Sequence, residues 1–224
     1  GLKVMADGAH CGDSCYPYDH NIRIQDMGRV FSISNETEAV NILQKYMGLT
    51  AQQCQELKQK FDNVPTEACD RVSKMYLIAS SDLVGKYYWL SYFGTGTGRN
   101  FVQLSISGRD ASDNLVYGDI MTLAIKDNQL VPIINLPQQG IINAVVGEII
   151  FYQDGQERKF SYTNVTNAID GLVWVDPSFQ VVVFMDAQIR DSIFTKLFFF
   201  DGKELNRFEK VFENQEVKIY KVIF

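Results

Sequence analysis

The sequence predicts an α+β fold: a mainly helical core domain with one buried strand, followed by a β-rich domain of sandwich or barrel type. Up to about residue 98, segments with helix-capping residues and apolar positions at helical spacing surround one short apolar run at 75–79. Beyond it, short alternating segments follow at regular spacing, separated by turn sequences such as Asp154-Gly155 and Asp201-Gly202. We therefore predict a first domain at 1–98 and a second at 99–224.

Composition excludes several classes of protein. The chain has 224 residues, a net charge of −6 and a calculated isoelectric point near 5.0. This acidic balance argues against nonspecific nucleic-acid binding, which needs a basic face, so no nucleic-acid partner is expected. No run of about eighteen apolar residues predicts a membrane span, and no secretory signal begins the chain. Because no methionine leads the chain, we expect it to be part of a longer protein.

The chain has four cysteines, which can form two disulfide bonds in three connectivities. The alternative is that the cysteines are reduced and buried. The pairs closest in sequence are Cys11 with Cys15 and Cys54 with Cys69. A zinc site is a further hypothesis, built on the following group: His10, Cys11, Cys15 and His20. Its C-x3-C-x4-H spacing is not a common zinc pattern, so we favour a disulfide or an ordinary loop there.

The first domain is predicted to begin with an irregular segment at 1–33, rich in glycine and aspartate, with short extended pieces near Ile22 and Val30. A helix follows at 36–47, capped by Asn35 and ended by Gly48. A second helix is capped by Thr50, with Gln53 in the capping-box position.

Residues 80–94 form the most specific stretch, because there the short strand at 75–79 runs directly into a charged, aromatic helix. Asp82 and Lys86 are four residues apart and share one side of that helix, with Gly85 between them. Leu83, Tyr87 and neighbouring apolar residues predict its buried face. The glycine-alternating residues 94–98 are predicted to be a flexible link.

The β-rich half is predicted to contain strands throughout, including one at 195–200 and one at 216–224, with a short helix around 205–211. Its aromatic residues, among them Trp174 and Phe198, are interpreted as core rather than as sugar-binding platforms. Turn residues between the strands favour a compact β module.

No self-sufficient catalytic set stands out from the residues alone. The two histidines both lie in the first twenty residues, and no G-x-S-x-G motif is present. A stand-alone β-rich module that binds carbohydrate or protein is therefore one hypothesis, and it predicts an exposed aromatic row in the second half. A soluble hydrolase with two catalytic carboxylates has the least support, because the sequence singles out no pair.

Residues 75–90, Met-Tyr-Leu-Ile-Ala-Ser-Ser-Asp-Leu-Val-Gly-Lys-Tyr-Tyr-Trp-Leu, resemble the kinked-helix region of the oligosaccharyltransferase catalytic subunit, and especially its archaeal form, AglB. Residues 6–10, Ala-Asp-Gly-Ala-His, stand where that family carries its W-W-D-Y-G motif. Residues 194–202 and 217–222 are similar to archaeal C-termini of the same family. The resemblance covers essentially the whole chain as the C-terminal globular domain, in the form of a divergent short paralogue.

The family transfers an oligosaccharide from a lipid carrier to the Asn of Asn-x-Ser/Thr. The resemblance implies that Asp7 accepts a hydrogen bond from the Ser/Thr hydroxyl of the acceptor, and that Lys86 and Leu90 match the kinked-helix motif beside this pocket. Without it, Asp7 is an ordinary loop aspartate, and Asp82 and Lys86 are a surface pair on a helix.

The chain also departs from the family pattern at the pocket. Met5 and Ala6 replace the two tryptophans of the first motif, so two indole donors are missing. Asp82 precedes Lys86 by four residues where the family motif has three, which points to an insertion near Gly85 or to a different role for Asp82.

The resemblance has further implications for the whole protein. The partners are the acceptor polypeptide and a lipid-linked oligosaccharide, the latter bound by a transmembrane part. The catalytic metal, Mn or Mg, sits on carboxylates of that part, so this fragment is expected to bind none and to be inactive alone. The domain is expected to be monomeric and to lie on the extracellular face of the cell membrane.

Overall fold

The computed structural model describes residues 20–60, 69, 71–126, 129–162 and 165–224. It confirms a mixed α+β architecture with a barrel-like β unit. The division of the chain differs from the predicted 1–98 and 99–224, because residues 191–224 group with residues up to 99, and 100–190 form the second unit. Within the described ranges, no helix is long and apolar enough to cross a membrane.

The helices and strands have the following bounds. The helices are α1 His20–Ser32, α2 Glu36–Gln44 with a 3-10 turn at Lys45–Met47, α3 Ala51–Lys60, α4 Asp82–Thr95, α5 Ala187–Arg190 and α6 Ile193–Phe198. A second 3-10 turn spans Pro137–Gln139. The strands are β1 Tyr76–Ser80, β2 Val102–Arg109, β3 Leu115–Tyr117, β4 Met121–Lys126, β5 Gln129–Leu136, β6 Ile141–Gln153, β7 Gln156–Ser161, β8 Ala168–Val175, β9 Val181–Asp186, β10 Phe208–Glu213 and β11 Val217–Val222.

Helix α1 corrects the expectation of an irregular segment, since its residues were predicted to be loop or short extended pieces. It packs on α4 with direct contact between the two backbones. A Cβ atom added to Gly28 would lie 2.5 Å from the Leu90 carbonyl oxygen, and one added to Gly94 would lie 2.3 Å from the Gly28 carbonyl carbon. Side chains at these two positions would therefore push the helices apart.

The two helices run antiparallel around a shared aromatic contact. Phe31 and Tyr87 both pack on Phe194, with ring centroids 5.9 Å and 5.6 Å apart, while Gly28 lies beside Gly94. The residue numbers therefore increase along α1 as they decrease along the facing side of α4. Tyr87 and Ser91 form the buried side of α4, and the opposite side faces solvent.

The capping predictions for the next two helices are confirmed. The Asn35 side chain accepts a hydrogen bond from the backbone N–H of Glu38, and Gly48 follows the second helix with a φ of 84°. At α3, the Thr50 hydroxyl accepts from the N–H of Gln53, whose side chain accepts in return from the N–H of Thr50.

One disulfide bond joins α3 to the segment after it. It links Cys54 to Cys69, one of the two pairings closest in sequence. Cys11, Cys15 and His10 lie outside the described residues, so the pairing and zinc hypotheses for the N-terminal cluster stay predictions.

A three-stranded antiparallel sheet, in the order β1-β11-β10, contains the strand that leads into α4. The expected buried strand is an edge strand, with Leu77 and Ala79 buried but Tyr76 and Ile78 exposed. Two further predictions were wrong: residues 193–198 are helical, and residues 208–213 form β10. Because β11 pairs with β1, the C-terminal segment belongs to the first unit.

A half-buried ion pair fixes the return of the chain to this sheet. The Lys218 ammonium binds the Asp201 carboxylate and the Phe198 carbonyl oxygen, the latter at 2.7 Å. Burial alone would raise the pKa of the Asp201 carboxyl, but its hydrogen bond to Lys218 and the nearby ammonium charges hold that pKa below its usual value. The pair therefore stabilises the folded state while Asp201 is ionised.

The second unit is a closed β-barrel. Strands run in the order β5-β4-β3-β2-β9-β8-β6, and β6 pairs back onto β5, with β7 added beside β6. Inward residues form one apolar cluster, including Tyr117, Leu123, Ile149 and Val173. The Tyr117 hydroxyl donates to the Phe179 carbonyl oxygen inside this core, and burial raises its pKa to about 12.

Glycine replacements separate close packing from helix propensity within α4. We expect Gly94→Ala to lower the free energy of unfolding by about 1–3 kcal/mol, because its Cβ would overlap the backbone of α1. Gly85→Ala is the matched control, since nothing lies within 4 Å of its Cβ position, and it should raise stability by about 0.5–1 kcal/mol. Urea unfolding measures both, and equal shifts in the same direction would contradict the packing account.

Asp201→Asn tests the half-buried ion pair through its pH dependence. The folded-state pKa of Asp201 is depressed, so its contribution is present above the unfolded pKa and is lost as pH falls through the folded pKa. At pH 7 the free energy of unfolding of the variant should be lower than that of the wild type by about 1 kcal/mol or more. The loss should shrink at acid pH.

Asp113→Asn is the matched control for this measurement. Asp113 and Asp201 share a left-handed backbone, with φ of 64° and 57°, but Asp113 pairs with Arg109 at the surface. Its replacement should lower the free energy of unfolding by less than about 0.5 kcal/mol. A deficit of the Asp201 variant that stays constant from pH 7 to pH 2 would refute the assigned role of its charge.

Candidate functional site

The predicted site residues that the structure describes lie on α4. The Lys86 Nζ is 2.7 Å from Asp82 Oδ2, and both side chains are more than half exposed. Leu90 follows one turn later and is half-buried. Met5, Ala6 and Asp7 lie outside the described residues, so their place beside α4 stays a prediction.

The longer spacing between Asp82 and Lys86 does not separate the two side chains. Residues three and four apart are both neighbours on a helix, so the charges meet at either spacing. Helix α4 is one α-helix from Asp82 to Thr95 and runs through Gly85. Asp82 and Lys86 thus pair on one face of a continuous helix, and no insertion near Gly85 is needed to bring them together.

Strand β1 ends just before this pair and positions the start of α4. The Ser81 N–H donates to the Glu216 carbonyl oxygen at 2.8 Å, which ties the strand-to-helix junction to β11. The Ser80 hydroxyl donates to Asp82 Oδ1. Ser81 occupies the N-cap position of α4 without a side-chain capping bond.

The charge state of the pair follows from these contacts. Hydrogen bonds from the Lys86 ammonium first, and then from the Ser80 hydroxyl, lower the pKa of the Asp82 carboxyl. Asp82 is therefore a carboxylate at neutral pH, with one oxygen facing an ammonium and the other accepting from a hydroxyl. This arrangement can accept further hydroxyl hydrogen bonds and, through Lys86, can donate to an oxygen.

The C-terminal half of α4 holds functional candidates that the sequence reasoning did not identify. Its exposed side carries four aromatic side chains, which we call the aromatic ledge: Tyr88, Trp89, Tyr92 and Phe93. Helical spacing places them away from the predicted buried face, but spacing alone does not show that the tertiary fold leaves them uncovered.

The predicted flexible link at 94–98 is instead packed against the ledge. Gly96 ends α4 with a left-handed φ of 78°, and a Cβ atom at Gly98 would lie 2.1 Å from the Tyr88 ring. The Ser91 hydroxyl accepts from the Arg99 N–H at 2.8 Å. The chain after α4 therefore folds back and holds Tyr88 in place.

Metal ligands are a separate question. Across residues 20–60, 69, 71–126, 129–162 and 165–224, no three or more His, Cys, Asp or Glu side chains are grouped as a metal site requires.

No protein-family model matches this sequence, and no curated protein matches it significantly. Among solved structures, the chain is similar to the C-terminal domain of PglB from C. jejuni, with a TM-score of 0.54 and 11% identity over 91% of this chain and 83% of that one. At this identity the likeness establishes the fold.

A second solved structure is also similar over part of the chain. It is the C-terminal globular domain of an oligosaccharyltransferase, PaAglB-L, from Pyrococcus abyssi, with a TM-score of 0.42 and 15% identity. The match covers 66% of this chain and 36% of that one, so it spans about a third of the P. abyssi chain.

Proposed function

We propose that this chain is the C-terminal globular domain of a membrane oligosaccharyltransferase, and that α4 forms one wall of the pocket for the Ser/Thr of an Asn-x-Ser/Thr acceptor. The observation that carries the proposal is the fold shared with the PglB C-terminal domain across 91% of this chain. The resemblance of residues 75–90 to the kinked-helix region adds support, because those residues form β1 and the start of α4.

The proposed roles follow from the chemistry of the side chains. Asp7 accepts a hydrogen bond from the acceptor hydroxyl, and a carboxylate acceptor makes that bond charge-assisted. Lys86 provides positive charge on the exposed face of α4, where Asp82 orients its ammonium. Leu90 offers an apolar contact to the hydroxyl-bearing residue one turn later.

The departures from the family motif change the donors available in this pocket. With Met5 and Ala6 in place of two tryptophans, the segment supplies no indole N–H, so hydrogen bonding to the acceptor depends more on Asp7 and the Asp82–Lys86 pair. Hydrogen bonds from Ser80 and Lys86 hold the Asp82 carboxylate on this face of α4, which supports its role in orienting the Lys86 ammonium.

The remaining parts of the reaction belong to the rest of the protein. A Mn or Mg ion would be held by carboxylates of the transmembrane part, which would also bind the lipid-linked oligosaccharide. We place the present domain on the extracellular face of the cell membrane, as a monomeric unit that presents the pocket wall. Alone it should show no transfer.

The alternative of a stand-alone β-rich binding module receives less support. That hypothesis predicts an exposed aromatic row in the second half of the chain. Among the described aromatic side chains at 100–224, Phe212 and Phe224 are exposed, and every one in the barrel unit at 100–190 is buried or half-buried. The exposed aromatic cluster lies on α4 instead.

The test is transfer by the full-length protein from purified lipid-linked oligosaccharide to a fluorescent Asn-x-Thr peptide. We expect Asp7→Asn and Lys86→Gln each to lower kcat/KM about tenfold or more, as loss of a charged hydrogen bond would. Asp82→Asn should lower it less, because it acts through Lys86. The Asp82 and Lys86 variants should remain folded, since an exposed helix pair contributes only about 0.3–0.5 kcal/mol.

A second exposed ion pair in the same chain provides the control. Arg109 and Asp113 are also four residues apart, with charged atoms 3.1 Å apart at the surface of the barrel unit. Arg109→Gln and Asp113→Asn should leave transfer unchanged. Unchanged kcat/KM in the Asp7 and Lys86 variants would remove the proposed pocket.

A further inference from the structure

The aromatic ledge is the largest group of adjacent exposed aromatic side chains in the described residues. Tyr88, Trp89, Tyr92 and Phe93 are exposed to 38%, 56%, 46% and 44% on consecutive turns of one helix. Single exposed apolar residues are common and need no explanation, but a contiguous patch marks an interaction surface.

The rings of the ledge are held in a defined arrangement. Trp89 stacks on Phe93 with centroids 6.1 Å apart, and Tyr88 is parallel to Tyr92 at 6.3 Å. Trp89 also meets Tyr88 edge-on at 5.2 Å. Since Gly98 packs against the Tyr88 ring, the ledge is preorganised, and little side-chain entropy is lost when a partner binds.

The ledge is continuous with the charged pair at the start of α4. At about 100° per residue, Asp82, Lys86, Trp89 and Phe93 fall within about 60° of the helix circumference. Gly85 lies next to this row, and no atom approaches within 4 Å of its Cβ position. At 1.5 Å per residue, these residues form a strip about 16 Å long on the helix surface. It begins at the Asp82–Lys86 pair, passes the open space beside Gly85 and ends at the stacked rings of Trp89 and Phe93.

We propose, on the basis of the function proposed above, that the acceptor polypeptide continues along this strip and that the aromatic ledge binds an apolar side chain flanking the sequon. An extended peptide whose hydroxyl-bearing residue lies near Lys86 reaches Trp89 and Phe93 within about three residues, at 3.3 Å per residue. Exposed Trp and Tyr with polar edges are typical of peptide-binding hot spots. The ledge therefore makes the enzyme selective for sequence context beyond Asn-x-Ser/Thr.

Charge favours a peptide over a lipid surface as the occupant. Helices that lie on membranes carry several Lys or Arg residues on their polar face. Helix α4 has one basic residue, Lys86, and its charge is compensated by Asp82 at 2.7 Å. The strip is therefore close to neutral and does not attract anionic headgroups.

The test compares two acceptor peptides in the full-length enzyme. Both contain Asn-Ala-Thr, flanked on each side either by four glycines or by Gly-Phe-Leu-Gly. The wild-type enzyme should prefer the apolar-flanked peptide by about tenfold in kcat/KM, the effect of one good hot-spot residue. In Trp89→Ala and Phe93→Ala, the ratio between the two peptides should fall towards one.

Phe212→Ala is the matched control, because Phe212 is exposed to 49% on β10 and should leave the ratio intact. Lys86→Gln should lower kcat/KM for both peptides alike and keep their ratio, so failure of the pocket is distinguishable from failure of the ledge. A ratio unchanged by Trp89→Ala and Phe93→Ala would overturn the inference and leave the pocket standing. No transfer by the wild-type enzyme would overturn both.

A vesicle experiment addresses the lipid alternative directly. The wild-type domain should not float with vesicles of phosphatidylcholine and phosphatidylglycerol. Flotation that Trp89→Ala abolishes would identify the ledge as a membrane contact and would overturn the assignment to the acceptor.

Discussion

The backbone contact between Gly28 and Gly94 is the constraint on which the first unit depends. Because neither residue has a side chain, α1 and α4 approach until their main chains touch. This fixes which side of α4 is buried, with Tyr87 and Ser91 inside. The opposite side, with its ion pair and its aromatic ledge, then faces solvent by necessity.

The C-terminal segment extends the same constraint to the strand that leads into α4. Strand β11 lies between β1 and β10, and the Lys218–Asp201 pair anchors its start. The junction at Ser81 is hydrogen-bonded to Glu216 just before β11. The position of Asp82 thus depends on residues more than a hundred positions later in the chain, which explains why the helical part is incomplete without the C-terminus.

Helices that are capped by side chains close in the sequence were predicted correctly from the sequence. Asn35 and Thr50 cap α2 and α3 through contacts within three residues, and both helices begin where expected. Helix α1 was missed because its residues have weak helix propensity and Gly28 reads as a loop residue. Its stability comes from packing on α4, which no local pattern records.

The C-terminal errors have a similar origin. Residues 193–198 are rich in aromatic and β-branched side chains, which favours a strand. Ser192 nevertheless caps them as a helix, and Phe194 is buried against three other rings. For the site, the sequence was sufficient to bring Asp82 and Lys86 together, since their spacing alone makes them neighbours. The ledge needed the structure, because exposure of an aromatic residue depends on what the tertiary fold leaves uncovered.

The central claim is that the exposed face of α4 binds the acceptor polypeptide. Photo-crosslinking measures this most directly, with the full-length enzyme and an Asn-x-Thr peptide that carries a photoreactive group next to the threonine. We expect adducts on α4 between Asp82 and Phe93. Adducts confined to the barrel unit at 100–190, with none on α4, would contradict it.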